Sequence, residues 1–445
     1  MTERSCVYEH RTGQLLESDL AAGLQKFREL WDDRLAASLN ACVHCGLCAD
    51  SCHYFVATGD PKMQPAYKVG LVQSVFKRYD TSAGRLLPLL VGARDFDSDT
   101  VREWIDSLFG SCSMCSRCTI NCTVGLDISR IVRTGRSTLA SMDLVPPELQ
   151  STVDAAVQTG NNMAIPKPEW LDTAEWLNDE LQQELGGDGS KFPIDRVGAR
   201  MLYAVNPREV KFFPLSLMAA AKIFHVAGES WTFSGDYYDV TNYGLFSGDN
   251  TAAALISERL HESMQKLKCD TLVLGECGHG YAANRWEYPE WAQGTPEYGV
   301  TSIVQLIAAY IRSGRIKLDR SKISSRVTLH DPCNLVRMGG VIEEQRYILG
   351  HAVSDFVEMY PNREKNFCCG GGGGQLSMTR YARRRIEAGR VKADQIRKTG
   401  AKIVVAPCHN CIDQLSELNK EYKLGVEIKT LSEIVAEALV IEPSA

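Results

Sequence analysis

Residues Ala41–His53 read ACVHCGLCADSCH, and residues Gly110–Thr123 read GSCSMCSRCTINCT. They place Cys42, Cys45, Cys48 and Cys52, then Cys112, Cys115, Cys118 and Cys122, at the spacing C-x2-C-x2-C-x3-C. Chains that wrap a pair of cubane [4Fe–4S] clusters use this spacing. Three thiolates at three-residue intervals encircle one cluster while nearby amides point at its sulfides, and the fourth thiolate reaches the neighbouring cluster. The expected ligand sets are therefore crossed: Cys42, Cys45, Cys48 and Cys122 on one cubane, Cys112, Cys115, Cys118 and Cys52 on the other. Structural zinc also uses C-x-x-C pairs, but its four-ligand sites gain nothing from two packed runs of four. No C-x-x-C-H occurs, which excludes a c-type haem. His53 and Thr123 stand where proline usually follows the fourth cysteine, so the backbone there is expected to differ while the ligand chemistry does not. Between the motifs, AYKVGLVQSVFKRY and TVREWIDSLFG carry apolar residues at helical spacing. Residues 1–145 are thus expected to form a mostly α-helical two-cluster ferredoxin-like domain.

Composition narrows the setting. The chain has 445 residues, enough for two or three domains. With 44% hydrophobic and 23% charged residues it reads as an ordinary globular protein. A net charge of -6 argues against nucleic acid as a partner. The start, MTERSCVYEH, lacks the layout of a secretory signal. The most apolar stretch, 212–227, is broken by Pro214 and Lys222, so no transmembrane segment is expected. The expected location is cytoplasmic, with any membrane association made through partner subunits. Sixteen cysteines in a reducing compartment point to metal sites rather than disulfides. Cys6 and Cys269 stand apart from the clusters and read as inert.

Residues 146–195 read as a helical connector, punctuated by Pro146, Pro147, Pro166 and Pro168 and by Gly186, Gly187 and Gly189. Beyond it lies an internal repeat. Helix-then-strand patterns recur at 251–280 and 381–411, with short apolar runs at Leu272–Leu274 and Ile403–Val405. Such runs suit parallel strands buried on both faces. Each ends near a cysteine, Cys277 or Cys408, at the carboxyl edge where α/β sheets place their sites. Thr301 and Thr430 read as N-caps of the helices that follow. Two duplicated α/β domains are expected, over 196–318 and 319–445, giving the chain a mixed α+β and α/β multidomain class. Aligned by eye, Cys333, Cys368, Cys369, Cys408 and Cys411 of the second copy answer to Asn206, Asn242, Tyr243, Cys277 and Gly280 of the first. The second copy therefore reads as a metal site and the first as scaffold.

The second set, HDPCNLVR, FCCGGGGG and APCHNC, resembles the cysteine-rich CCG domain of the heterodisulfide reductase HdrD family. Because its first copy is degraded, the whole chain resembles still more the DsrK- and TmcB-type subunits of sulfur-metabolising membrane complexes. The resemblance implies that Cys333, Cys368, Cys369, Cys408 and Cys411 hold one noncubane [4Fe–4S] cluster that binds substrate sulfur. It implies a catalytic subunit on the cytoplasmic face of the inner membrane. Its implied partners are a membrane cytochrome b-type, quinone-reactive subunit, other complex subunits, and a sulfur carrier of DsrC type. The implied reaction is reduction, or in reverse oxidation, of a disulfide or trisulfide.

The chemistry is consistent with such a site. Disulfide reduction takes two electrons, whereas a cubane delivers them singly, so the half-reduced sulfur needs a holder. Each leaving thiolate also needs a proton. His330, His409 and His279 adjoin the cysteines and are candidate donors, with plain packing or hydrogen bonding as the alternative. Gly370–Gly374 lacks the Lys-Ser/Thr of a phosphate loop and reads as a place of close backbone approach. Arg380, Arg383, Arg384 and Arg385 are either a solvated helix face or a dock for an acidic protein. Two rival readings stand beside the catalytic one: an iron–sulfur subunit of a glycerol-3-phosphate, lactate or glycolate oxidising complex, and a non-catalytic electron wire.

Overall fold

Two compact units emerge from the computed structural model, which describes residues 8–9, 11–186 and 192–441. Cys6 and the turn residues Gly187–Gly189 lie outside the described residues. The first unit comprises Met1–Ser151, Tyr243–Thr251 and Phe367–Lys392; the second comprises Thr152–Asn242, Ala252–Asn366 and Ala393–Ala445.

The first unit is helical among its described residues. Helix Pro65–Asp80 runs between the two cysteine motifs, opened by proline at its first position, and buries Val69, Val72, Val75 and Phe76. Helix Ile128–Ser141 follows the second motif, capped by Asp127, whose side chain accepts the Arg130 amide at 3.0 Å. Trp104 sits at the centre of an aromatic cluster, with Phe27 and Phe96 each 5.4 Å away in edge-to-face geometry. A wide π-helical turn, Ile105–Phe109, leads into Cys112.

One residue fastens the unit. Arg136 is 0% exposed, and all five of its N–H groups are engaged. Nε and Nη2 donate to Leu108 O at 3.0 and 2.8 Å, and Nη2 also donates to Cys112 O at 2.7 Å. Nη1 donates to Phe246 O at 2.6 Å and Gly373 O at 2.8 Å. The ring of Phe109 lies 4.6 Å beneath the guanidinium. Glycine at 373, with φ +65°, is required here: a Cβ would meet the Ser113 carbonyl carbon at 2.6 Å.

The second unit holds two four-stranded, all-parallel sheets of identical order. Strands β1 (Met201–Ala204), β2 (Trp231–Thr232), β3 (Thr271–Leu274) and β4 (Gly299–Ser302) are arranged β2-β1-β3-β4. Strands β5 (Val327–Leu329), β6 (Phe356–Val357), β7 (Ile403–Val405) and β8 (Glu427–Lys429) repeat that order as β6-β5-β7-β8. The central strands are buried on both faces, and a single apolar cluster joins them to the helices Pro214–Val226, Ile303–Arg312 and Leu431–Ala438. The stretch around Pro214 is two helices, Pro207–Phe212 and Pro214–Val226. Among the described residues no helix is long and apolar enough to cross a membrane.

Two expectations are corrected. Thr430 caps its helix through a reciprocal bond with Glu433, but the cap of the corresponding helix is Ser302, not Thr301, which belongs to β4. The strand register also shifts the alignment of the copies. Ala204 pairs with Leu274 as Leu329 pairs with Val405, so Asn206-Pro207-Arg208 stands opposite Asp331-Pro332-Cys333. Arg208, rather than Asn206, therefore occupies the place of Cys333. Asn206 instead caps the helix Pro207–Phe212.

The Arg136 contacts generate a stability prediction. Arg136→Met removes five donated bonds from four carbonyls, and the loss is expected to be about 3 kcal/mol or more. Arg136→Lys, which keeps the charge but fewer bonds, should lose less. Urea midpoints of the three proteins measure both.

Candidate iron–sulfur sites and the sheet-edge cluster

The eight thiols of the first unit fall into two cavities. One, with about 410 Å³ of empty space counting its open mouth, is lined by Cys42, Cys45, Cys48 and Cys122. The other, of about 430 Å³, is lined by Cys52, Cys112, Cys115 and Cys118. Each motif thus sends its fourth cysteine to the other motif's cavity. Short-range turns bring this about: Gly46 at φ +79° and His44 at φ +53° bend the first loop, Met114 at +48° and Ser116 at +60° the second. Four converging thiols in each of two cavities of similar size fit a pair of cubane clusters.

The cavities differ in surroundings. The first is apolar and open, with Cys45 exposed and Val43, Leu47 and Val124 exposed around it. His44 anchors its wall by a 2.6 Å bond to Gln73, whose amide in turn donates to Cys42 O at 3.1 Å. The second is lined by His53, Tyr54 and Lys68 as well, and its four cysteines are half-buried. His53 is buried and packs on Tyr54 at 4.6 Å, filling the space where the ferredoxin pattern has proline. Burial pushes the thiols of Cys112 and Cys118 up, with Lys68 as the opposing charge in both cases.

Cys368 and Cys369 belong to the first unit and are buried. The amide of Gly370 donates to the Cys368 sulfur at 3.3 Å, and that of Gly371 to the Cys369 sulfur at 3.4 Å. The glycine run thus turns its amides onto the two sulfurs before Gly373 reaches the Ser113 backbone. The arginine stretch is largely committed within the same unit. Arg380 pairs with Glu148 at 3.1 Å and Glu9 at 3.0 Å, and Arg384 pairs with Asp106 at 3.0 Å. Arg385 is buried and Arg383 is exposed. The charge expected to dock an acidic protein is therefore mostly spent on this chain's own carboxylates.

In the second unit the carboxyl ends of β3 and β7 make one cluster. Cys277 and Cys408 sit in matching turns, each amide donating to the carbonyl two residues earlier at 2.7 Å. Each precedes a helix, Gly278–Ala282 or His409–Glu421. The turns are stitched together, His409 N donating to Glu276 O at 3.0 Å. Glycine at 278 permits a second close approach, to the turn after Cys333, since a Cβ would meet Leu335 N at 2.8 Å. A thiol hydrogen bond from Cys411 lowers the Cys408 pKa to about 7 against the effect of burial, and the Gly278 amide assists. Cys333 and His330 are also buried in this unit, at and after the end of β5, and a π-helical turn, Asn334–Met338, follows Cys333.

The histidines part company here. Burial alone takes His279 to about 3, so its imidazole is neutral at neutral pH and cannot donate as an acid. It lies 3.4 Å from the Cys277 sulfur. Burial works against the charge on His409 too, but Glu209 at 3.2 Å, together with Glu276 and Cys408, raises its pKa to about 9. Glu209 is fixed by Ser216 Oγ at 2.9 Å and the Asn206 amide at 3.0 Å. Glu276 accepts from Leu431 N, Ser432 N and Ser432 Oγ at 2.9, 2.7 and 2.6 Å, and burial still lifts its carboxyl to about 7. Sequence reading named His409 but not its holder, Glu209. The signal for it was the N-P-R-E phrase at the same sheet edge.

These features define an iron–sulfur protein. Residues 38–126 match the family model described as a 4Fe-4S dicluster domain, and residues 327–416 the one described as a cysteine-rich (CCG) domain. The two matched segments are those that carry the cysteine motifs. Over 463 residues it is 28% identical to the Hdr-like menaquinol oxidoreductase iron–sulfur subunit of Archaeoglobus profundus, covering 94% of this chain and 83% of the relative. It is 28% identical to iron–sulfur subunit 2 of the same type from Archaeoglobus fulgidus, covering 91% and 80%. It is 26% identical to a subunit of the dihydromethanophenazine:CoB–CoM heterodisulfide reductase of Methanosarcina barkeri, covering 91% and 95%.

The crossing of the fourth cysteines can be read directly. Cys122→Ser should disturb the same electron paramagnetic resonance signal as Cys45→Ser, and Cys52→Ser the same one as Cys115→Ser. An uncrossed protein would pair Cys122 with Cys115 instead.

Proposed function

We propose that this chain is the iron–sulfur catalytic subunit of a membrane-associated oxidoreductase complex that acts on a disulfide or trisulfide. Cys42, Cys45, Cys48 and Cys122 would hold one cubane cluster, and Cys52, Cys112, Cys115 and Cys118 the other. Cys333, Cys368, Cys369, Cys408 and Cys411 would hold a noncubane cluster. When bound, the cubanes carry single electrons and the noncubane centre accepts substrate sulfur. The relatives' names, a menaquinol oxidoreductase subunit and a heterodisulfide reductase subunit, support a quinol-linked membrane partner of cytochrome b type and a sulfur substrate. A carrier protein of DsrC type is the proposed substrate, and a peripheral place on the cytoplasmic face of the membrane follows from the partners. The two sheets of equal order support a duplication in which only the second copy, 319–445, keeps its thiols, with 196–318 as the degenerate copy, 146–195 as the connector and 1–145 as the ferredoxin-like domain.

The observation that carries the catalytic reading is the buried His409–Glu209 pair beside Cys408. A wire needs thiolates around metal. In a wire, a protonated imidazole beside one of them would only bias the potential. Splitting a disulfide needs the proton itself, because each departing sulfur leaves as a thiolate that must take one. Glu209 keeps the proton on His409 and aims the ring; Glu276 holds the backbone of the same turn in place.

The reduced protein, mixed with a disulfide or trisulfide carrier, should release thiol in proportion to the electrons withdrawn. His409→Gln should slow that release by roughly 10²-fold or more with iron content unchanged. A protein that reduces no sulfur substrate, yet passes electrons to an artificial acceptor, would be the wire.

A further inference from the structure

The second cubane cavity has a feature that its ligand set does not explain. Two cations are buried against it. Lys68 is 2% exposed, lines the cavity, and donates to Met63 O at 2.7 Å. Arg136 is fully buried and donates to the carbonyl of Cys112, one of the four lining cysteines, at 2.7 Å. Among the described residues neither pairs with a carboxylate; every bond either makes goes to a carbonyl oxygen. Tyr54 stands 5.9 Å from the Lys68 ammonium and offers only a ring face.

A buried ammonium with no counter-ion is costly, and chains keep one only where a negative charge meets it. Here the negative charge is the four thiolates of the cavity itself. Lys68 counters the burial-driven rise in the pKa of both Cys112 and Cys118, and Arg136 does so at Cys112. The first cavity is built otherwise: neither lysine nor arginine lines it, and it opens to solvent at Cys45.

On the reading of the two cavities as cubane sites, we infer that Lys68, seconded by Arg136, is the charge that sets the potential of the second cluster. A thiolate-bound cluster is anionic and becomes more so by one unit on reduction. A fixed cation beside it therefore favours the reduced form, charge being one of the levers that set such potentials. Lys68 lines the second cavity and no lysine or arginine lines the first, so the second potential can be moved without the first.

The test is a redox titration of the full chain followed by electron paramagnetic resonance, with iron analysis. Cys45→Ser first identifies the signal of the first cluster. Lys68→Met should then move the other signal to lower potential and leave the first in place, and Lys68→Arg should restore it. Loss of the second cluster in Lys68→Met, with retention in Lys68→Arg, likewise shows that the charge is needed at that site. The inference is overturned if Lys68→Met moves neither signal or both equally, or if Lys68→Arg behaves like Lys68→Met. A protein without iron in either cavity would fail the cubane reading instead, which iron analysis separates from the other outcomes.

Discussion

A guanidinium without a counter-ion holds the cysteine-bearing unit in shape. Arg136 takes carbonyls from four segments: the π-helical turn before the second motif, the motif itself at Cys112, the segment at Phe246, and the glycine run at Gly373. Leu108 and Phe246 lie in short helical turns, but Cys112 and Gly373 lie in loops, and loops that carry metal ligands have few bonds of their own. Desolvating an arginine costs several kcal/mol. The five donated bonds and the proximity of thiolates offset that cost, and burial still depresses the guanidinium pKa to about 10. Removing the charge would leave the Cys112 carbonyl with only the longer bond from Gln375, at 3.3 Å. The position of the second ligand set therefore depends on a residue outside either cysteine motif.

The second unit solves a different problem, that of keeping charge in a dry place next to sulfur. Its two sheets present their carboxyl edges, where backbone amides point outward and side chains converge. Glu276 is anchored by the amides opening the helix Leu431–Ala438, a favourable end for an anion. Glu209 is anchored by an N-cap box and a serine. Both carboxylates lie near His409, and the imidazolium is the charge they have in common.

Much of this was legible in the sequence. Both cysteine motifs, the buried parallel strands β3 and β7, and the turns at Cys277 and Cys408 follow from spacing and apolar runs. What escaped were the groups whose role depends on burial. Lys68 stands inside AYKVGLVQSVFKRY, where a lysine reads as a solvated position of an amphipathic helix; nothing local says that it points inward. Arg136 lies in a helix with no motif at all. The N-cap at Ser302 and the place of Arg208 opposite Cys333 were missed by one and two residues, because register is set by strand pairing across the sheet and not by local phrase. The arginine run at 380–385 misled in the other direction: its partners, Glu9, Asp106 and Glu148, are more than two hundred residues away along the chain.

The proposed duplication gains a physical sense from Arg208. At the place where one copy has the thiol Cys333, the other has a guanidinium whose Nη2 donates to Asp413 Oδ1 at 3.0 Å, on the helix that begins at His409. The next residue of that copy is Glu209, which holds His409 itself. A first copy that had merely decayed would leave small or apolar side chains where its ligands stood. Instead, charged groups occupy the edge and reach across to the helix that carries Cys408 and Cys411. On the proposed reading the first copy would be more than scaffold: Glu209 would position the acid, and Arg208 is bound to the helix that Cys408 precedes and Cys411 lies on. One sheet edge would then keep the metal chemistry while the other controls the proton.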